Sequence, residues 1–139
     1  MHANDSASLV PHANHYDYAV IRVVPRVERE EFVNVGVILS CEASRYLEAR
    51  IELDEGRVLA LAPDLDMESL RRHLQTLPAI CRGGADAGPI GLLPQRARFH
   101  WLTAKRSSII QTSPVHTGKC GDMPATMEHL LQRMVRIAR

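Results

Sequence analysis

The sequence has too few cysteines for a disulfide framework. It holds three among 139 residues, Cys41, Cys81 and Cys120, widely spaced and with no C-x-x-C pair, which argues against a structural zinc site as well. Reduced, buried thiols are expected instead. Long hydrophobic runs are also lacking, and nothing approaches the roughly 20 apolar residues that a membrane-crossing helix needs. The opening "MHANDSASLVPHANH" has neither the basic n-region nor the apolar h-region of a secretory signal. A cytoplasmic protein without a membrane partner is the expectation. No G-x-S-x-G, P-loop, H-E-x-x-H or Rossmann glycine pattern occurs, so no familiar reaction or cofactor is indicated. The net charge is only +1, a small excess for a protein that must neutralise many phosphates, and nucleic acid is not expected as the main partner.

What is present is ordinary globular composition, 45% hydrophobic and 24% charged. Residues 1–14 are small, polar and His-rich and are expected to form a mobile tail, too loose for His2, His12 and His15 to hold a metal. Residues 15–139 then form a single domain. "YDYAVIRVV" and "FVNVGVILSC" are β-rich, and "YLEARIEL" alternates cleanly. In a meander with Val23 facing Val33, Arg22 facing Asn34 and Cys41 facing Leu47, the odd strand positions (19–23, 33–41 and 47–53) are all apolar and form the core side. The even face is mixed, with Tyr16, Tyr18, Val20, Arg22, Phe32, Asn34, Gly36, Ile38, Ser40, Arg50 and Glu52. Arg22 interrupts an apolar strand and is expected to meet a partner such as Glu52 or to reach solvent. Gly36 in mid-strand points to a bulge or a close approach of backbone.

"EGRVLALAP" reads as a short helical connection ended by Pro63. In "DMESLRRHLQTL", Asp66 is an N-cap, and Met67, Leu70, Leu74 and Leu77 face the odd side of the sheet, with Pro78 bending or ending the helix. "PQRARFHWLTA" reads as a short helix, with a strand as the alternative, and "SIIQT" as a fourth strand. The last helix has Asp122 as cap, Pro124 in the first turn and an apolar stripe of Met127, Leu130, Leu131, Met134 and Ala138. The fold class is therefore α+β: an antiparallel sheet, a three-stranded meander plus a later fourth strand, packed on one face by two or more helices.

Taken together, "YDYAVIRVVPRVEREEFVNVGVIL", "RFHWLTAKRSS" and "SPVHTG" resemble the bacterial family known as domain of unknown function 3037, from Tyr16 to the end of the chain. The family has no assigned reaction, and the resemblance implies an accessory role beside a kinase-like protein. Its pattern has proline where this chain has Lys105, and an acidic pair around Gly121 and Asp122, so no role is carried over to Lys105 or Gly121.

Charge is segregated along the chain. From Glu42 to Glu68 there are eight acids against three arginines, whereas Ala87 to Gly121 holds Arg96, Arg98, Lys105, Arg106 and Lys119 and no acid. Arg98, Lys105 and Arg106, with Ser107, Ser113, Thr117 and His116 beside Gly118, could hold a phosphate or carboxylate. For catalysis, His100 or His116 could be a base, Glu31 or Glu52 an acid, and Arg22 a stabiliser of negative charge. A Cys120 thiolate beside His116 lacks a third group to orient it, and the same pair lacks a third metal ligand. Trp101 reads as core in preference to a stacking residue. The favoured reading is a small binding or accessory module with a protein partner, engaged through Tyr18, Arg22 and Asn34 on the even face, where Tyr16, Phe32 and Ile38 complete an interface-like mixture of aromatics and Arg. The alternative is an enzyme or ligand-binding protein that takes a phosphorylated or nucleic-acid substrate through Arg98, Arg106, Ser107, Ser113 and His116.

Overall fold

The computed structural model describes residues 15–119 and 121–137. The expected mobile tail, Cys120 and Ala138 lie outside the described residues. β-branched runs give β1 (His15–Val23) and β2 (Val33–Cys41), joined by a charged connection with a single 3-10 turn at Val27–Arg29. A tight turn leads to β3 (Tyr46–Ile51), and two short strands, β4 (Ile110–Thr112) and β5 (His116–Lys119), follow late in the chain. Strand order is β3-β2-β1-β4, with β5 pairing the first half of β1. All pairings are antiparallel.

Helix caps fall where short oxygen-bearing side chains precede the apolar stripes. Asp54 accepts from the Arg57 N–H ahead of α1 (Glu55–Leu61), Asp66 from Ser69 ahead of α2 (Met67–Arg82), and Asp122 from Ala125 ahead of α4 (Met123–Met134). Between α2 and α4 lies α3 (Gln95–Leu102), a helix as expected for "PQRARFHWLTA". The sheet and helices make the α+β fold that the sequence predicts. No described helix is long and apolar enough to cross a membrane.

Two cores sit on opposite faces of the sheet. On one, Ile21, Val23, Val33, Val35, Ile38 and Ala49 meet Leu70, Leu74 and Leu77 of α2 and Phe99 and Leu102 of α3. On the other, Val37, Leu39 and Cys41 meet Met127, Leu130 and Leu131 of α4. Each fully buried Met or Leu contributes about 1.5–3 kcal/mol, enough in sum to hold α4 against the sheet.

The second core corrects the register expected for β2. Val37, Leu39 and Cys41 do not share a face with Val33 and Val35, because one extra residue in β2 switches the parity of every side chain beyond it. Ile21 opposes Gly36 while Arg22 opposes Asn34, which leaves Val35 without an opposite number. Gly36 meets both expectations made for it. It stands at the bulge, and a Cβ there would come within 2.5 Å of the Arg50 carbonyl oxygen. At the other end of the pairing Cys41 faces Tyr46, not Leu47.

Pro78 does not end α2, which runs four residues further to Arg82. Buried Leu77, Ile80 and Cys81 anchor that last turn, and Arg98 donates to the carbonyls of Ile80 and Cys81 at 3.0 and 2.6 Å. Trp101 is not core: it lies 39% exposed, with the Arg106 guanidinium over its ring at 4.3 Å.

Candidate functional site

The bulge aligns three polar side chains across the sheet. Arg22 on β1 has Asn34 of β2 directly opposite on one side and Gln111 of β4 on the other. Residues directly opposite point to the same face, and this is the face that α4 covers further along. The helix stops where the polar row begins: the Asn34 amide donates to the carbonyl of Met134, the last residue of α4, at 2.9 Å.

Arg22 is only half satisfied. Its guanidinium stacks on the Phe32 ring, 4.1 Å from the centroid, a contact that contributes about 0.5–1 kcal/mol at an exposed position. Its Nε is buried with no hydrogen-bond partner among the described residues, and so is Asn34 Oδ1. Each such atom costs about 1–3 kcal/mol of desolvation. Glu52, expected as a partner for Arg22, is instead held by Arg136 through two hydrogen bonds of 2.7 and 2.8 Å. The Arg136 hydrogen bond holds the Glu52 carboxyl below the usual carboxylate range, against the opposing effect of burial. Phe32 itself is 44% exposed. The site thus combines a donor and an acceptor that lack partners with an aromatic ring open to solvent.

The other side chains singled out in the sequence do not converge on one site. Tyr18 and His116 face each other across β1 and β5 with ring centroids 5.3 Å apart. Because His116 sits beside Tyr18, it lies four residues along β1 from Arg22, about 13 Å at the rise of an extended strand. That separation is too long for a base and a charge stabiliser acting on one group. Ser113 has a structural task, since its Oγ accepts from the buried Val20 N–H at 2.8 Å and donates to the Pro114 carbonyl at 2.9 Å. Arg98 closes the end of α2, and Arg106 donates to the carbonyls of Trp101 and Leu102 at the end of α3. Glu31 pairs with Arg29, while His100, Lys105 and Ser107 are exposed. Thr117 donates to Asp17 across the strand pair.

"SPVHTGK", expected as the loop after the last strand, is a loop only over residues 113–115, and its "HTGK" is paired as β5. Tyr16 opposes Gly118, and its ring covers the space that a Cβ at Gly118 would fill. Among the described residues no group of three His, Cys, Asp or Glu side chains is placed to hold a metal ion. An open depression of about 600 Å³ lies between Glu52 at the end of β3 and Arg136 after α4, but it is lined by the ion pair just described and by Arg57, which donates to the Val135 carbonyl at 3.2 Å.

The family described as Protein of unknown function (DUF3037) has a sequence model that matches residues 18–135. The chain belongs to that family. Neither the curated proteins nor the solved structures yield a match. The DUF3037 match spans β1 through α4 and so includes the bulge, the Arg22 row and the helix end that borders it.

One member of the site escapes sequence reasoning. Phe32 is legible as part of the interface-like even face, although its stacking on Arg22 depends on how the β1–β2 connection folds back. Gln111 joins the row through the β1–β4 register, for which the one amide of "SIIQT" opposite the lone charge of "AVIRVV" is the available signal.

Proposed function

We propose that the protein is a cytoplasmic binding module with an accessory role, taking a segment of a protein partner at the Phe32 end of the sheet. The observation that carries this reading is the pair of buried atoms without partners, Arg22 Nε and Asn34 Oδ1, beside exposed Phe32. Once the Arg22 and Asn34 side chains turn toward the surface, a peptide unit offers a carbonyl to the first and an N–H to the second. Arginine and aromatic side chains are also the types that dominate the energetics of protein interfaces. Family resemblance suggests a kinase-like protein as the partner. The alternative substrate, a phosphorylated compound or nucleic acid at the basic Ser/His-rich segment, has less support, since Arg98, Arg106 and Ser113 all serve backbone groups.

The test is affinity capture from host lysate with wild type, Phe32→Ala and Arg22→Met, each first checked for folding by circular dichroism. Loss of an interface hot spot costs at least about 2 kcal/mol, a fall in affinity of roughly thirtyfold. Wild type is expected to retain a stoichiometric protein that both variants lose. Equal recovery by all three, or recovery of no protein, contradicts the proposal.

A further inference from the structure

On the opposite face of the sheet, α2, the end of α3 and β4 enclose a groove of about 420 Å³. Leu77, Ile109 and Ile110 line it together with exposed Trp101, and His73 and Arg106 stand at its rim. Arg106 is held in place by the Trp101 and Leu102 carbonyls and by the Trp101 ring, and it has no carboxylate partner among the described residues. Among the described residues no acid lines the groove, and none occurs in the sequence from Ala87 to Gly121. The surface is apolar, carries fixed positive charge and lacks a counter-charge.

The groove runs beside a free strand edge. Among the described residues β4 pairs only with β1 and ends the strand order. Val24 N–H donates to the Ile109 carbonyl at 2.6 Å and Ser113 N–H to the Val20 carbonyl at 2.8 Å. These bonds flank the Arg22–Gln111 pair by two residues on either side, so the ladder makes Gln111 a bonded residue and turns the N–H groups of Ile110 and Thr112 outward. The Ser108 hydroxyl donates to the Ile110 carbonyl at 2.7 Å, which leaves mainly donors along the edge.

We propose that this groove takes an extended acidic segment of another protein, which adds a strand to β4 and buries one apolar side chain against Trp101. Its backbone carbonyls meet the Ile110 and Thr112 N–H groups, and its carboxylates meet Arg106 and the His73 rim. Strand addition supplies affinity through main-chain bonds, and the groove and charge supply selectivity. The inference is independent of the Arg22 site, which lies on the other face.

Trp101 is the only tryptophan, so its emission reports on the groove directly. The probe is a phage-displayed library of short random peptides selected on the full chain, with the enriched peptide then synthesised alongside a version carrying Lys for each Asp and Glu. The expected result is an enriched motif of a large apolar residue flanked by acids, which shifts Trp101 emission on titration. Binding weakens about tenfold or more in Arg106→Glu and about threefold in His73→Glu, the latter on an exposed residue that leaves the fold intact, and the Lys version prefers Arg106→Glu. Enriched peptides without acidic bias, binding that leaves the emission unmoved or is equal in His73→Glu, or no enrichment at all overturns the proposal. An emission shift with protein concentration alone also overturns it, and assigns the groove to a second copy of the chain.

Discussion

Arg22 and Asn34 stand directly opposite each other across β1 and β2, each with one buried polar atom that has no hydrogen-bond partner among the described residues. Neither atom helps the fold, and a sequence selected for stability alone would place apolar side chains there. Sites that break a local rule without an evident structural return are where function is expected.

Replacing Arg22 by Met keeps the aliphatic stem and removes the unsatisfied Nε. The gain of about 1–3 kcal/mol from the lost desolvation penalty exceeds the cation–π contact given up, about 0.5–1 kcal/mol. Urea unfolding is expected to show a variant more stable by about 1 kcal/mol that no longer binds its partner. A variant destabilised by about 1 kcal/mol or more would mean that Arg22 supports the fold.

At Gly36 the opposite sign is expected. An added Cβ meets the Arg50 carbonyl oxygen at 2.5 Å, and the side chains of Ile21 and Ile51 at 3.1 and 3.2 Å, so the backbone of β3 must shift. Overpacking of this kind costs about 1–3 kcal/mol. Gly36→Ala should therefore lower the urea midpoint and weaken partner binding together, because the bulge sets the position of Asn34.

Ser113→Ala separates a structural serine from a ligand-binding one. Without the hydroxyl, the buried Val20 N–H has no acceptor, a loss of about 1–3 kcal/mol. The melting temperature should fall while the affinity of the folded protein for its partner, or for phosphate, stays unchanged. A change in affinity at constant stability would return Ser113 to the binding surface.

The Glu52–Arg136 pair predicts an acid limb. The folded-state pKa of Glu52 lies below its ordinary value of 4.5, so the pair's contribution is fully present above that value and is lost as pH falls through the lower folded-state value. Urea midpoints measured at pH 7 and pH 3 should differ more for wild type than for Arg136→Met. An equal difference would show that the pair contributes nothing to the acid sensitivity.

Much of the architecture was legible because its signals are local. The alternation in "YLEARIEL", the Asp caps and the helical spacing of Leu70, Leu74 and Leu77 each fix an element without reference to the rest of the chain. The face of β2 was not, because one extra residue at Gly36 reverses the parity of Val37, Leu39 and Cys41 while leaving their hydrophobicity unchanged. β5 was hidden for the converse reason. "HTGK" is mostly exposed and lacks a β-branched run, and it is a strand only because β1 offers it an edge and Tyr16 covers Gly118. Pro78 misled because its effect on the helix is local, whereas Ile80, Cys81 and Arg98 hold the final turn from a distance.

At the site, Arg22 and Asn34 could be paired from the sequence, since the register near the hairpin is set by the turn. Their unsatisfied atoms could not, because satisfaction depends on where α4 ends and on Glu52 being engaged by Arg136. The basic segment suggested a convergent anion site, but Arg98 and Arg106 close the ends of two helices instead. Unpaired carbonyls fix each guanidinium at its own helix end, and at Arg106 they take only two of its five N–H groups.

The most direct measurement is site-specific photo-crosslinking in the host, with the photoreactive residue placed at Phe32 and, as control, at Leu92, which is 69% exposed. One protein is expected to crosslink from position 32, not from position 92, and to be absent when Arg22→Met is combined with the crosslinker. No product from position 32, or one that persists with Arg22→Met, would contradict it.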